Sequence, residues 1–305
     1  LADRVAGIYA PVVHILAAAT FAGWIVFADA GWQASLMAAI AVLIITCPCA
    51  LGLAVPAVQV VASSRLLKAG VLVKAADALE RLSTIDTVVF DKTGTLTLGT
   101  PKLVGGDFEP DALHRAAALA RHSRHPLSKA LSAAAPDIGG TGIKDVRFRV
   151  ELLSGDTEAA PARAATALGI DTWESACLPA DKTARLESLA EEGRRVLMVG
   201  DGLNDAPSLV AAHVSMSPAS AADVSQTAAD LLFQGKALGP VVTAIRVART
   251  ATRLVKQNFG LAFLYNVIAV PVAVAGLATP LVAAAAMSSS SIVVTLNALR
   301  LKWVR

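Results

Sequence analysis

Residues 87–97 have the sequence Thr-Val-Val-Phe-Asp-Lys-Thr-Gly-Thr-Leu-Thr, in which a β-branched and aromatic run stops at Asp91. Such a run predicts a buried strand, and a carboxylate directly after it is held at a fixed point, which suits a nucleophile. Lys92, Thr93 and Gly94 then supply hydrogen-bond donors and a close backbone approach for a phosphate group. A strand followed by an ordinary polar turn explains an Asp and a Gly, but not the whole series in this order.

Two more short runs in the same region read as strands and are followed by an aspartate within a few residues. They are 195–199 before Gly200-Asp201, and 151–153 before Ser154-Gly155-Asp156. Helical patterns follow at 157–168 and 181–193. Strands that alternate with helices predict a doubly wound parallel sheet, in which ligands sit at the carboxyl ends of the strands. We therefore expect the three strand-end aspartates to converge at one edge of the sheet.

The composition indicates a membrane protein with a soluble insert. The chain of 305 residues is 55% hydrophobic and 17% charged, and its mean hydropathy of +0.58 is too high for an ordinary soluble domain. Residues 5–28, 30–64 and 257–299 contain no Asp, Glu, Lys or Arg, and residues 276–280 break the last stretch. Because a bilayer core takes about 20 helical residues, we predict spans near 5–27, 33–55, 258–276 and 280–298. The alternative is a set of buried core helices, but charge-free stretches of this length are rare outside membranes.

The basic residues predict the orientation of the four spans. They follow the second and fourth spans and precede the third: Arg65, Lys68, Lys74, Arg246, Arg249, Arg253, Lys256, Arg300, Lys302 and Arg305. Positive residues stay on the cytoplasmic side, so the central segment and both termini are expected there. The predicted location is a bacterial inner or plasma membrane, crossed several times, with the lipid bilayer as a partner. Nucleic acid is not expected as a partner, because no Lys/Arg-dense run of the kind that tracks phosphates is present.

Cys47-Pro48-Cys49 lies inside the second predicted span. A proline breaks the helical hydrogen-bond ladder and opens a gap, across which two thiolates form a soft site for Cu(I) and, less selectively, Zn(II). The plainer alternative is two small buried cysteines beside a kink. Two of the three cysteines lie in an apolar stretch, so a disulfide framework is not expected.

Three motifs carry a resemblance to one family. The run 91–95, DKTGT, is similar to the phosphorylation motif of the P-type ATPases, whose catalytic domain belongs to the haloacid-dehalogenase superfamily. Residues 200–207, GDGLNDAP, are similar to the family's GDGxNDxP motif. Ser154-Gly155-Asp156 resembles its TGD motif, with Ser in place of Thr. His125-Pro126 resembles the HP motif of the nucleotide domain, whose imidazole would contact the adenine end of ATP.

The resemblance implies a role for each matched residue. Asp91 would take up the phosphoryl group of ATP, and Lys182 would offset the phosphate charge. The catalytic set is Asp91, Lys92, Thr93, Ser154, Gly155, Asp156 and Lys182. The implied Mg²⁺ site consists of Asp91, the carbonyl of Thr93, Asp201 and, in a supporting role, Asp205. Independently of the resemblance, Asp201 beside Asp91 makes an oxygen-ligand site of the kind that Mg²⁺ prefers.

The membrane part resembles the copper branch of the heavy-metal P-type ATPases. Its signatures are the CPC triplet, Tyr265-Asn266 and the run 287–291, which resembles MxxSS. A thioether such as Met287 suits Cu(I) better than Zn(II). The copper ligands that the resemblance implies are Cys47, Cys49, Tyr265, Asn266, Met287 and Ser291. It also implies Cu(I) as the transported ion, delivered by a copper chaperone.

We divide the chain into five predicted segments. Residues 1–64 hold two membrane helices and the CPC site, 65–120 and 150–256 form the phosphorylation domain, 121–149 are a shortened nucleotide-binding insert, and 257–305 hold two more membrane helices. The family's TGE actuator motif and its CxxC metal-binding domain are not found in the sequence. We therefore expect poor ATP affinity, slow dephosphorylation, and labelling of Asp91 by acetyl phosphate more readily than by ATP.

The leading functional hypothesis is ATP-driven export of Cu(I) through an aspartyl phosphate, by an active or a truncated, inactive enzyme. One alternative is transport of another soft metal such as Zn(II) or Cd(II). Another is a non-catalytic copper-binding membrane protein. A membrane-tethered phosphatase is disfavoured, because Thr93 stands where such enzymes place the second carboxylate used as general acid and base.

Overall fold

The computed structural model describes residues 2–27, 31–47, 49–92, 95–96, 148–201, 203–221, 223–235 and 238–303. The chain forms two compact units. Leu1–Ala69 and Ala244–Arg305 form the helical unit, and Gly70–Thr243 form the sheet unit.

The sheet unit contains a seven-stranded sheet within its described residues. The strand order is β1-β7-β6-β5-β2-β3-β4, and all neighbours are parallel except the edge pair β1 and β7. The strands are β1 (Val71–Val73), β2 (Thr87–Asp91), β3 (Arg149–Leu153), β4 (Thr172–Glu174), β5 (Val196–Val199), β6 (Val214–Pro218) and β7 (Leu231–Phe233). The inner strands β2, β5 and β6 are buried throughout, as parallel strands covered on both faces require. The predicted parallel α/β fold is therefore confirmed.

Among the described residues, five short helices accompany the sheet. They are α4 (Ala78–Ser83), α5 (Ala159–Leu168), α6 (Pro179–Glu191), α7 (Ala206–Ala211) and α8 (Asp223–Ala228). Helix α6 is important for the site, because it starts with Pro179 and is capped by Asp181, whose carboxylate accepts a 2.8 Å hydrogen bond from the Leu178 amide. Leu186 and Leu189 then anchor α6 in the apolar core against β2 and β5.

The helical unit contains α1 (Ala2–Phe27), α2 (Gly31–Ile45), α3 (Cys49–Lys68) and α10 (Pro280–Leu299), and most of α9 (Gly239–Val274). Among the described residues, Gly239–Val274 and Pro280–Trp303 are long and apolar enough to cross a membrane, and Pro11–Phe27 and Gly31–Ile45 are shorter apolar helices. The segment predicted as the second span, 33–55, consists of two helices, with the break that the sequence predicted at the CPC triplet. Helix α2 ends at Ile45 and α3 begins at Cys49, as expected when a proline between them cannot continue the helical ladder. The four-span topology stays a prediction.

The interior of the helical unit is built from small side chains. One cluster joins residues of α1, α2, α9 and α10 with the turn before α10: Ala17, Ala41, Val42, Ile45, Ala273, Ala278 and Ala283. A second joins α3, α9 and α10: Ala50, Ala54, Ala262 and Val294. Large apolar residues such as Phe27, Phe263 and Leu281 are exposed instead. Small residues inside and large apolar residues outside are the pattern of helices packed in lipid.

Gly276 forms the turn between α9 and α10, where the sequence predicted a break. Its φ of +71° is a left-handed conformation that favours glycine, and a Cβ there would overlap the ring of Trp24. The Trp24 indole in turn donates a 2.8 Å hydrogen bond to the carbonyl of Val274. Helix α10 then starts at Pro280, with the hydroxyl of Thr279 accepting from the Val282 amide.

Candidate functional site: a carboxylate cluster and a sulfur cluster

Asp91 is the last residue of β2, between β5 and β3 in the sheet. Because side chains alternate along a strand, Asp91 lies on the same face as Val89. Val89 packs against Leu186 and Leu189 of α6, so the Asp91 carboxylate faces that helix at the carboxyl end of the sheet. Its 5% exposure means that little water competes for its oxygens.

Three carboxylates meet at this point. Asp91, Asp201 and Asp205 each offer an oxygen, and these oxygens all lie within 4.8 Å of one another. Asp201 follows β5, and Asp205 closes a single 3₁₀ turn, Leu203–Asp205. Gly200 allows this packing, since a Cβ on it would lie only 3.0 Å from Oδ2 of Asp205. An oxygen-only cluster of this size fits the ligand preference of Mg²⁺.

Lys182 supplies the positive charge of the cluster. Its ammonium group on α6 forms an ion pair with Asp91 and a 2.6 Å contact with Oδ1 of Asp205. Burial by itself would lower the pKa of Lys182, but the charges of Asp91 and Asp205 outweigh it, and the pKa is raised. The lysine therefore stays cationic and joins both carboxylates to α6.

Within the described part of the chain, Asp201 has no such counter-charge in hydrogen-bond contact. Burial, followed by repulsion from Asp91 and Asp205, raises the pKa of Asp201 to about 6. Negative charge at this position is therefore costly unless a cation is present. The site has the electrostatics of a place prepared for a divalent ion.

The loop after β3 forms the neighbouring wall. The hydroxyl of Ser154 accepts a 3.1 Å hydrogen bond from the amide of Asp156, which explains why a hydroxyl residue can open this motif. Lys92 forms an ion pair with Asp156, and burial lowers the pKa of Lys92. Asp156 follows β3, the parallel neighbour of β2, so all three strand-end aspartates lie at one edge of the sheet, as expected. The Asp156 carboxylate is exposed and bound by Lys92 instead of joining the cluster.

The segment before α6 was missed by the sequence reasoning. The amides of Ala176 and Cys177 donate to the carbonyls of Asp156 at 2.8 Å and Ser154 at 2.9 Å. Ala176 takes up a φ of +54°, which is uncommon without glycine and marks a tight fit. Gly155 faces this segment so closely that a Cβ would lie 3.3 Å from the Cys177 carbonyl. The sequence offered no signal for the segment, since its contacts come from backbone atoms.

Glu151 was also missed. It is 0% exposed in the middle of β3 and accepts hydrogen bonds of 3.0 and 2.9 Å from Arg185 of α6 and an ion pair at 2.8 Å from Arg149. Arg185 lies one turn after Lys182 on α6. The paired charges therefore join β3 to the helix that carries Lys182. A charged residue in an otherwise apolar strand was the available signal.

A second candidate site lies in the helical unit, where α2 gives way to α3. The Cα atoms of Cys47 and Cys49 are 5.5 Å apart, and the two sulfurs form a disulfide. The helix break brings the two cysteine side chains within bonding reach, and this single pair is not the disulfide framework that the sequence argued against. The Sγ atom of Cys49 lies 4.0 Å from Sδ of Met287 on α10. Three sulfur atoms from three segments thus form one cluster.

The other predicted copper ligands lie on the same helices α9 and α10. Among the described residues, the buried Tyr265 hydroxyl has no hydrogen-bond partner. The side-chain amide of Asn266 donates to the carbonyl oxygen of Ala262 at 2.9 Å. The hydroxyl of Ser291 donates to the carbonyl oxygen of Met287 at 3.4 Å. Their role as ligands stays a prediction.

Known proteins resemble this chain in sequence and in structure. Residues 141–213 match the family model of haloacid dehalogenase-like hydrolases. The nitrogen fixation protein FixI of Bradyrhizobium diazoefficiens is 44% identical over 374 residues, which covers 98% of this chain and 51% of FixI. A copper-exporting P-type ATPase of Staphylococcus saprophyticus is 33% identical over 390 residues, covering 100% of this chain and 49% of that protein. The crystal structure of a zinc-transporting PIB-type ATPase in the E2.Pi state is similar with a TM-score of 0.82 and 26% identity, covering 98% of this chain and 63% of that one.

The chain belongs to the heavy-metal, P1B-type family of P-type ATPases. It spans about half the length of the curated relatives that it matches. The match to FixI extends over 374 residues, which exceeds the 305 residues of this chain by 69. The relative therefore contains residues within the matched region that have no counterpart here.

Several residues that the family resemblance assigns lie outside the described residues. They are Thr93, Gly94, His125, Pro126 and Gly202. The predicted nucleotide-binding insert and the Thr93 carbonyl ligand consequently stay predictions for this heavy-metal ATPase chain.

Proposed function

We propose that this chain carries the metal path and the phosphorylation site of an ATPase that exports Cu(I) from the cytoplasm. The observation that carries the proposal is the bridge of Lys182 to Asp91 and Asp205, with Asp201 beside them. This arrangement supports a role for Asp91 as a nucleophile. The ammonium group of Lys182 offsets the negative charge of the carboxylate and would offset that of an incoming phosphate. An ordinary packing role would not bring three carboxylates together at one sheet edge.

Asp91 would act as the nucleophile. One of its carboxylate oxygens forms a bond to the γ-phosphorus of ATP as the bond from that phosphorus to the ADP oxygen breaks, and water later hydrolyses the aspartyl phosphate. Lys182 holds positive charge beside the Asp91 carboxylate and would stabilise the phosphoryl oxygens in the same place. Asp91, Asp201 and Asp205 would hold Mg²⁺, which supplies further charge compensation when bound.

Sulfur ligands support Cu(I) as the substrate of transport. The sulfur atoms of Cys49 and Met287 lie 4.0 Å apart. A thioether combined with thiolates is a donor set that binds Cu(I) in preference to Zn(II). Binding requires reduction of the Cys47–Cys49 disulfide, because a thiolate is the ligand. The copper-exporting relative of Staphylococcus saprophyticus favours copper by its name, whereas the structural relative is named as a zinc transporter.

The remaining parts of the proposal concern the cellular setting. The chain would cross a bacterial inner or plasma membrane four times, with the sheet unit in the cytoplasm, ATP as the phosphoryl donor and a copper chaperone as the source of Cu(I). The large exposed apolar side chains of the helical unit support contact with lipid.

The test is formation of an acid-stable, hydroxylamine-sensitive phosphoenzyme. The purified, reduced chain is incubated with labelled ATP or acetyl phosphate, with and without Cu(I). We expect label from acetyl phosphate that disappears in Asp91→Asn, while Asp171→Asn, an exposed aspartate of the same unit, keeps it. Label from ATP would be weaker, because the insert for nucleotide binding is short.

Each alternative predicts a different result. Stimulation of labelling by Zn(II) or Cd(II) but not by Cu(I) would assign another soft metal. Cu(I) binding with no label from either donor would assign a non-catalytic copper-binding protein. Label that persists in Asp91→Asn would overturn the proposed nucleophile.

A further inference from the structure

Two buried amide side chains in the helical unit have no part in the sites described above. Asn258 of α9 is 0% exposed, and Asn297 of α10 is 9% exposed. Nδ2 of Asn297 donates to Oδ1 of Asn258 at 2.9 Å, and Nδ2 of Asn258 donates to the carbonyl oxygen of Ala54 at 3.2 Å. Since Ala54 belongs to α3, one series of hydrogen bonds joins three helices.

Arg300 determines the direction of this series. Its Nη1 donates to Oδ1 of Asn297 at 3.0 Å, and a guanidinium group can only donate. The oxygen of Asn297 must therefore face Arg300, which leaves its NH₂ group to face Asn258. The same reasoning turns the NH₂ group of Asn258 toward Ala54. We name the series Arg300, Asn297, Asn258 and the Ala54 carbonyl the amide relay.

The amide relay contacts the same two helices, α3 and α10, that carry Cys49 and Met287. Ala54 follows Cys49 by five residues on α3, about 7.5 Å along the helix axis. Asn297 follows Met287 by ten residues on α10, about 15 Å along its axis. Fixing both points against Asn258 restricts how far α10 can rotate or slide relative to α3. The contact of 4.0 Å between Cys49 and Met287 joins these same two helices.

The apolar contacts nearby do not provide the same restriction. Around the relay, α3, α9 and α10 touch through Ala50, Ala54, Ala262 and Val294. Small side chains allow helices to approach closely, but their smooth surfaces fit several registers, whereas a hydrogen bond needs a particular distance and angle. An amide left without its partner in an apolar interior is also costly, so other registers are disfavoured.

We propose that the amide relay is a positioning element that places the Met287 thioether beside Cys49 and so makes it part of the metal site. The juxtaposition itself is independent of copper, and only its purpose rests on the proposed function. The test therefore includes one measurement without any metal.

The metal-free measurement is disulfide cross-linking in the full chain. Cys47→Ser frees Cys49, and Met287→Cys introduces a thiol at position 287. After oxidation with diamide, mass spectrometry quantifies the peptide pair linked between these two positions. We expect efficient cross-linking in this parent and a rate about tenfold lower after Asn258→Leu, which removes two relay bonds.

Two further variants separate positioning from folding. Asn297→Asp keeps the shape and the bond to Arg300 but has no donor for Asn258, so we expect a reduction of about threefold. Gln257→Leu removes an exposed amide one residue away from Asn258 and should leave the rate unchanged. Equal cross-linking in the parent, Asn258→Leu and Asn297→Asp would overturn the inference, and so would a parent that does not cross-link.

A copper measurement then tests the consequence. In the reduced native chain, Met287→Leu should weaken Cu(I) binding. In an Asn258→Leu background the same substitution should have little further effect, because the thioether is already displaced. Full additivity of the two substitutions would contradict the inference. A native chain that binds no Cu(I) but cross-links as expected would instead contradict the proposed function alone.

Discussion

The carboxylate cluster of the sheet unit and the sulfur cluster of the helical unit are held together by different forces. Asp91, Asp201 and Asp205 repel one another, and the buried ammonium group of Lys182 offsets that repulsion. Cys49 and Met287 carry no comparable charges, and small side chains and amide hydrogen bonds bring their helices together. The carboxylate cluster therefore depends on charge compensation, whereas the sulfur cluster depends on helix packing.

Removing the compensating charge should have the largest effect. Lys182→Met leaves Asp91 and Asp205 without their shared partner, and we expect phosphorylation by acetyl phosphate to slow by about 10²- to 10³-fold. Arg194→Met removes an exposed cation at the opposite end of the sheet and serves as the control. Near-normal labelling of Lys182→Met would show that charge compensation does not hold this cluster together.

The second prediction concerns Glu151 and Arg185, which join β3 to the helix of Lys182. Arg185→Met leaves Arg149 as the ion-pair partner of the buried Glu151. Because the Glu151 charge is then less well compensated, we expect the free energy of unfolding of the sheet unit to fall by about 3 kcal/mol. Hydrogen exchange of β3 and α6 peptides, followed by mass spectrometry, measures the loss.

The double variant Glu151→Leu with Arg185→Leu sharpens this test. Removing both partners avoids an unpaired buried charge, so much of the lost protection should return. If hydrogen exchange in β3 and α6 is faster in the double variant than in Arg185→Met, the ion pair itself stabilises the fold, and the loss in the single variant is not due only to an unpaired buried charge.

The third prediction addresses the sulfur cluster. Met287→Leu preserves volume but removes the thioether, and Cu(I) affinity measured by chelator competition should fall by about 10- to 100-fold. Zn(II) affinity should change less, because Zn(II) gains little from a thioether. Met37→Leu, at an exposed position of α2, is the matched control, and equal losses for both variants would remove Met287 from the site.

The smallest effect is a pH dependence of Mg²⁺ binding. Because the pKa of Asp201 is raised to about 6, a proton competes with the ion below that pH. Mg²⁺ affinity should be flat above pH 6 and fall by up to about tenfold per unit below it. In the metal-free protein, the free energy of unfolding changes with pH in the opposite direction and falls as the pH rises. The contribution of Asp201 is full below its unfolded pKa of 3.8 and is lost as the pH rises through about 6.

Isothermal titration with Mg²⁺ at several pH values measures the first effect. Asp201→Asn should bind more weakly at every pH and lose the step near pH 6. A step of the same size in Asp201→Asn would assign the titration to another group.

Much of the carboxylate site followed from local sequence. β2 and β5 were predictable because continuous apolar runs end at an aspartate, and the parallel sheet followed from the alternation with helices. Asp156 could not be placed in this way, because its exposed carboxylate is bound by Lys92, a residue 64 positions earlier in the chain.

The helical unit was predictable in composition but less so in geometry. Charge-free stretches indicated apolar helices, and the break at Gly276 was correctly located. The break between Ile45 and Cys49 was also expected, since a proline between them cannot continue the helical ladder. The contacts between the helices could not be predicted, because they depend on which small side chains pack together.

The sequence by itself determined which strands end at an aspartate, where the sulfur-bearing residues stand and where the apolar helices lie along the chain. Those features depend on neighbouring residues, whose spacing and polarity are visible in one dimension. Only the tertiary structure decided that Lys182 joins Asp91 to Asp205. The same is true of the contact between Met287 and Cys49, which are 238 positions apart in the chain, and of the hydrogen bonds by which Asn258 links three helices. These contacts depend on strand order and helix register, which come from the packing of the whole unit and not from any single segment.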